Sequence, residues 1–131
     1  MKINKIEHIA INTKDFSESA DFYGRILGFK RIETVACDGF DITYFELPGG
    51  ARLELFDYHG SNPDKGIGET DVGLRHLAFE VEDVAAHEEE LRAEGVNITL
   101  PTCDLVNLGS RVLLFTDPNG VTIEFCEKLQ L

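Results

Sequence analysis

The sequence predicts an α+β fold made of two tandem βαβββ modules. One covers about residues 4–58 and the other about 73–128, joined by a linker over 59–72 into a single domain spanning 1–131. Three observations carry this reading. The string Ile6-Glu7-His8-Ile9-Ala10-Ile11 returns, 68 residues later, as Leu74-Arg75-His76-Leu77-Ala78-Phe79. Seven residues after each His stands an aspartate, Asp15 or Asp83, opening a stretch of helical character. A glutamate then follows each His by 46 or 48 residues: Glu54 in Arg52-Leu53-Glu54-Leu55-Phe56, and Glu124 in Thr122-Ile123-Glu124-Phe125. Matching turns, Pro48-Gly49-Gly50 and Pro118-Asn119-Gly120, precede the two glutamates. A repeat of this length marks a duplicated supersecondary unit.

The elements follow in order. Residues 5–12 alternate as a strand, Ile9 and Ile11 on one side and His8, Ala10 and Asn12 on the other. Asp15 caps a helix, with Glu18 three residues on as in a capping box. Phe16, Ala20, Tyr23 and Leu27 share a helical face, and Gly28 ends the run. Strands are expected at 29–36, 41–47 and 52–58. Gly60, Pro63, Gly66 and Gly68 mark the linker. The second module repeats the order: strand 74–81, helix 84–94 closed by Gly95, then strands 96–100, 110–116 and 121–127, with 101–109 read as a loop.

Strand alternation sets the facing of the repeated residues. Leu53 and Leu55 oppose Glu54, while Val121, Ile123 and Phe125 oppose Thr122, Glu124 and Cys126. The helices belong on the aliphatic faces, which leaves His8, Glu54, His76 and Glu124 on the walls of a cavity.

Composition bounds the function. At 131 residues, 43% hydrophobic and 27% charged, the chain is an ordinary globular domain. Each half is too small to be comfortably stable alone, so the halves should pack against something. A net charge of −12 argues against a nucleic-acid partner, which needs clustered Lys and Arg. No apolar run reaches the roughly 20 residues of a membrane span, and the N-terminus lacks an apolar signal region, so no membrane partner and a cytoplasmic location are expected. Cys37, Cys103 and Cys126 are odd in number and lack CxxC spacing, which predicts reduced, partly buried thiols.

Two imidazoles and two carboxylates suit a divalent ion such as nickel, zinc, cobalt, manganese or iron. A lone strand His is more often structural, and a lone strand Glu more often faces solvent. The coincidence of four such residues at matching repeat positions favours ligands. His87 and the acidic run 88–90 read as solvated helix, and His59 as a surface loop at the start of the linker. Asp41 and Glu46 are candidate accessory bases on the third strand. No GxSxG elbow, Walker or dinucleotide fingerprint is present.

These strings, with Asp21-Phe22-Tyr23, Leu27-Gly28-Phe29 and Asp117-Pro118-Asn119-Gly120, give a chain that resembles the vicinal-oxygen-chelate superfamily over essentially its whole length. That superfamily includes glyoxalase I, methylmalonyl-CoA epimerase, fosfomycin-resistance enzymes and extradiol dioxygenases. The resemblance implies a curved mixed sheet around a metal-lined cavity and a divalent metal held by His8, Glu54, His76 and Glu124. It also implies a glyoxalase I-type lyase or isomerase that moves a proton through an enediolate on a small α-oxygenated substrate, with a thiol hemithioacetal as one candidate. Glu124 is the implied base and Glu54, placed pseudo-symmetrically, its counterpart for the reverse transfer. A homodimer with sites shared between chains is implied as well. Where bacterial glyoxalase I carries an Arg and an Asn for glutathione, this chain has Asn12 and Tyr58. The other readings are an epimerase of the methylmalonyl-CoA type, a metal-free sequestering protein of the bleomycin-resistance type and, more weakly, a ring-cleaving dioxygenase.

Overall fold

The computed structural model describes residues 1–64, 68 and 70–130. The linker glycine Gly66 lies outside the described residues. The chain divides into two compact units, Met1–Lys65 and Gly66–Leu131.

In the first unit β1 (His8–Thr13) leads into α1 (Phe16–Asp21), a π-helical turn (Phe22–Ile26), β2 (Arg31–Ala36), β3 (Asp41–Glu46) and β4 (Arg52–Asp57). The sheet order is β1-β4-β3-β2, with β1 parallel to β4 and the other neighbours antiparallel. A parallel pair needs a long crossover, and α1 with the β2–β3 hairpin supplies it. The second unit has β5 (Leu77–Glu80), α2 (Val84–Ala93), β6 (Asn97–Leu105), β7 (Ser110–Thr116) and β8 (Thr122–Lys128), ordered β5-β8-β7-β6 with the same sense of pairing. The α+β fold of two β-α-β-β-β modules is therefore as the sequence predicts.

Each helix lies against one face of its own sheet. In the first unit Ile11, Phe45, Leu53 and Leu55 are buried together with Ser19, Phe22 and Tyr23. In the second unit Val84 and Leu91 of α2 are buried with Leu113, Phe115, Ile123 and Phe125, the rings of Phe115 and Phe125 meeting edge to face at 4.9 Å. Burying one such Leu or Phe side chain contributes about 1.5–3 kcal/mol, so these faces stabilise each unit from within. Asp15 and Asp83 cap the helices, accepting hydrogen bonds from the N–H groups of Glu18 (3.2 Å) and Ala86 (3.1 Å).

Several expected boundaries move. The first helix does not run regularly to Leu27. At Phe22 it widens, and the Leu27 N–H donates to the Phe22 carbonyl five residues back at 2.9 Å. Ser19, Phe22 and Tyr23, at i, i+3 and i+4, form the buried face, while Ala20 and Leu27 are only half-buried; the extra residue turns the positions that follow Phe22, Leu27 among them. Gly28 then ends the run at φ +78. The loop expected at 101–109 is mostly strand, because β6 continues through Pro101 to Leu105 before a 3-10 turn at Val106–Leu108. It is an edge strand with register shifts on both sides of Leu100, where a proline needs no ladder partner. The strands carrying the histidines start late: β1 begins at His8, and β5 begins at Leu77 with His76 just outside it.

No helix among the described residues is long and apolar enough to cross a membrane. All three cysteines are free.

Candidate metal centre

Strand register brings each repeated His to its Glu. In the first unit Ala10 of β1 is opposite Glu54 of β4. His8, two residues before Ala10, shares that face, and its Nδ1 lies 3.3 Å from Glu54 Oε2. In the second unit Ala78 of β5 is opposite Glu124 of β8, and His76 again precedes the alanine by two. His76 Nε2 lies 3.6 Å from Glu124 Oε1. The two His/Glu pairs are thus built by one register, repeated.

Burial makes the carboxylates unusual. Glu54 is 7% exposed, and the Glu124 side chain is 21% exposed. A carboxylate removed from water is costly unless paired, and an imidazole lies beside each one, His8 by Glu54 and His76 by Glu124. Nδ1 of His76 is buried without a hydrogen-bond partner among the described residues. Each pair sets an imidazole nitrogen beside a carboxylate oxygen, and the donors are of the types that bind borderline divalent ions. The residues fit a metal.

The surroundings extend the first pair. Glu7 Oε1 is 2.9 Å from His8 Nδ1 and accepts a hydrogen bond from Arg52 Nη2 at 3.1 Å. His8 first, and then Arg52, hold the Glu7 carboxyl below its ordinary value. The Arg52 guanidinium sits over the Tyr44 ring, 4.7 Å from its centroid, and Tyr44 is opposite Glu54 on β3. Beside the second pair, Cys126 is two residues beyond Glu124 on the same face. Burial, then the negative charges of Glu124 and Glu80, push its thiol up, so it stays protonated and points at the Phe79 carbonyl (3.6 Å).

The turn before β8 is fixed by Asp117, a residue the sequence reading used only as part of a motif. Its Oδ1 accepts the N–H groups of Asn119 and Val121, both at 2.8 Å. Asp117 is 5% exposed, and this clamp sets where Thr122, and hence Glu124, enters the sheet.

Other expectations need correction. Asp41 is opposite Asp57, on the sheet face away from Glu54, so parity excludes it as an accessory base there. It belongs instead with His59, whose Nε2 is 3.5 Å from Asp41 Oδ2 and whose Nδ1 is 3.4 Å from Asp57 Oδ2. Carboxylates directly opposite one another repel, and the His59 ring stands beside both of these. Glu46 does share the Glu54 face, at the exposed end of β3. His87 and Glu88 are not solvated as a run. The His87 ring packs edge-on against Phe125 at 5.5 Å. Glu88 accepts the Thr102 N–H and the Arg92 Nε–H, each at 2.7 Å. Hydrogen bonding from Thr102, then from Arg92, holds its carboxyl down to about 2. The signal was in the spacing: Val84, His87, Glu88 and Leu91 fall at i, i+3, i+4 and i+7, the packed stripe of a helix.

Comparison with known proteins identifies the family. Residues 5–125 match the family described as the Glyoxalase/Bleomycin resistance protein/Dioxygenase superfamily. The chain is 33% identical to the lactoylglutathione lyase of Haemophilus influenzae, over 94% of this chain and 92% of that one. It is 31% identical to the mitochondrial methylmalonyl-CoA epimerase of Dictyostelium discoideum, over 96% and 80%. Among solved structures, a glyoxalase family protein from Enterococcus faecalis superposes with a TM-score of 0.80 at 28% identity, covering 97% of this chain and all of that one.

Proposed function

The chain belongs to the glyoxalase, bleomycin-resistance protein and dioxygenase superfamily, and we propose that within it the chain is a metal-dependent lyase or isomerase of glyoxalase I type. It acts on a small α-oxygenated substrate, moving a proton between adjacent carbons. The observation that carries this is the duplicated register, which puts an imidazole beside a poorly exposed carboxylate twice.

In this reading His8, Glu54, His76 and Glu124 hold one divalent ion. Nickel, zinc, cobalt, manganese and iron all suit the donor set. When bound, the ion supplies Lewis-acid stabilisation of negative charge developing on the substrate's oxygens. Glu124 would take the proton from one carbon and give the same proton to the next, and Glu54, at the equivalent place in the other repeat, would serve the reverse transfer. Poor exposure of both carboxylates keeps competing water away and keeps the transferred proton in the site.

The ligand set is completed in a homodimer, His8 and Glu54 coming from one chain and His76 and Glu124 from its partner. Two exposed apolar side chains support association. Ile6 (70% exposed) and Leu74 (80%) stand at equivalent repeat positions just before β1 and β5, and each of these strands is a sheet edge. Exposed edges invite pairing.

Elemental analysis of untagged protein, prepared without chelator, tests the proposal. About one divalent ion per chain is expected. A chain that takes up none, even from nickel, cobalt and zinc solutions, refutes it and moves the function to metal-free sequestration. A second reading is an epimerase, favoured by the likeness to the Dictyostelium enzyme. It predicts solvent deuterium entering a stereocentre without net rearrangement, whereas the isomerase yields a rearranged product.

A further inference from the structure

The face of β4 that carries Glu54 runs on into an aromatic surface. Phe56 is two residues beyond Glu54 on that face, opposite Asn12 of β1 and Ile42 of β3. Tyr58 follows two residues later, and Phe40 enters from the turn between β2 and β3. The three rings are nearly parallel. Phe40 and Phe56 have centroids 5.5 Å apart at 15°, Phe40 and Tyr58 5.0 Å at 25°, and Phe56 and Tyr58 6.3 Å at 20°. A column of three rings would put its outer pair at nearly twice the neighbour spacing. These centroids form a triangle instead, so the rings overlap as a tile.

This tile is not the core of the unit. The buried core residues of β4 are Leu53 and Leu55, on the opposite face, and Phe40, Phe56 and Tyr58 are each only half-buried. Its place is set by the ligand face: two residues along a strand advance it about 6.6 Å from Glu54. Asn12 is in register with Phe56, and Tyr58 is itself one of the rings. Asn12 and Tyr58 thus bring a neutral amide and a phenol to this surface, and no charge.

We propose that the substrate carries a planar aromatic substituent next to its vicinal oxygens, seated on the platform of Phe40, Phe56 and Tyr58. The inference rests on the metal-site reading above, because Glu54 anchors the oxygen end. A flat ring is what such a platform selects, since offset-parallel contact with an aromatic adds to the burial of apolar area that any substituent gains.

Benzoylformate and pyruvate test this directly. Both present adjacent oxygens, and they differ in a phenyl against a methyl group. Calorimetric titration of the metal-loaded protein is expected to give a Kd about tenfold lower for benzoylformate, the scale of one ring contact plus its burial. In Tyr58→Leu and in Phe40→Leu the preference should fall to about two- to threefold, with metal content measured on the same samples to show that the site is intact. Equal affinities in the wild type, or a tenfold preference that survives in both variants, would overturn the platform while leaving the metal site standing. A chain that takes up no metal overturns both readings.

Discussion

Nε2 of His76 stands 3.6 Å from Glu124 Oε1, while Nδ1 of the same ring is buried without a hydrogen-bond partner among the described residues. An orphaned buried nitrogen costs about 1–3 kcal/mol, and such groups persist where a site uses them. His76→Ala is therefore expected to empty the metal site, lowering occupancy at least about tenfold, since even supporting residues of a metal site cost that much. In the metal-free state the same variant should be no less stable than the wild type, because the orphan goes with the ring. Full metal occupancy in His76→Ala would show that the ligands are wrong. A large loss of apo-protein stability would show that the ring is structural.

Glu124 has two proposed duties, as ligand and as base. Glu124→Gln keeps an oxygen donor and removes the proton acceptor. Turnover should fall about 10²–10⁴-fold, the usual contribution of a positioned acid–base group, with part of the metal retained. Near-normal turnover would remove Glu124 from the proton transfer.

The sequence made the duplicated register legible because its signals are short-range and repeated. His8, Ala10 and Glu54 recur as His76, Ala78 and Glu124, and strand parity alone puts each set on one face. The shortfalls have separate physical causes. The π-turn at Phe22 adds one residue to a helical turn, which leaves no compositional mark and shifts the positions after it, Leu27 among them. Pro101 reads as a breaker, yet an edge strand tolerates it. The pairing of Asp41 with Asp57 and His59 depends on cross-strand register, which the chain order of these residues does not display.

Glu88 gives the second unit a pH-dependent brace between α2 and β6. Its carboxyl lies at about 2 in the folded protein, against an ordinary value of 4.5. As pH falls, the unfolded chain takes up this proton first, so the brace stabilises fully above about 4.5 and is lost as pH falls toward 2. Glu88→Gln keeps an acceptor for the Thr102 N–H without the charge and should cost about 1–2 kcal/mol near neutrality. Urea unfolding of both proteins across this acid range should show the gap between them closing as pH falls. A gap that stays constant would mean that the charge contributes nothing.

A shared site in a homodimer makes a complementation result that an internal site cannot imitate. His8→Ala alone and His76→Ala alone each damage both sites of their own homodimer. When the two are mixed and allowed to exchange chains, a mixed dimer has one site lacking both histidines and one site with both. Random pairing makes half of the dimers mixed, so roughly a quarter of all sites are restored. Metal content, negligible in each variant alone, should rise to that fraction after unfolding and refolding the mixture together. If each chain supplied all four ligands to its own site, mixing would restore nothing at any ratio, and the proposed sharing of His8 and His76 between chains would be wrong even with the metal assignment intact.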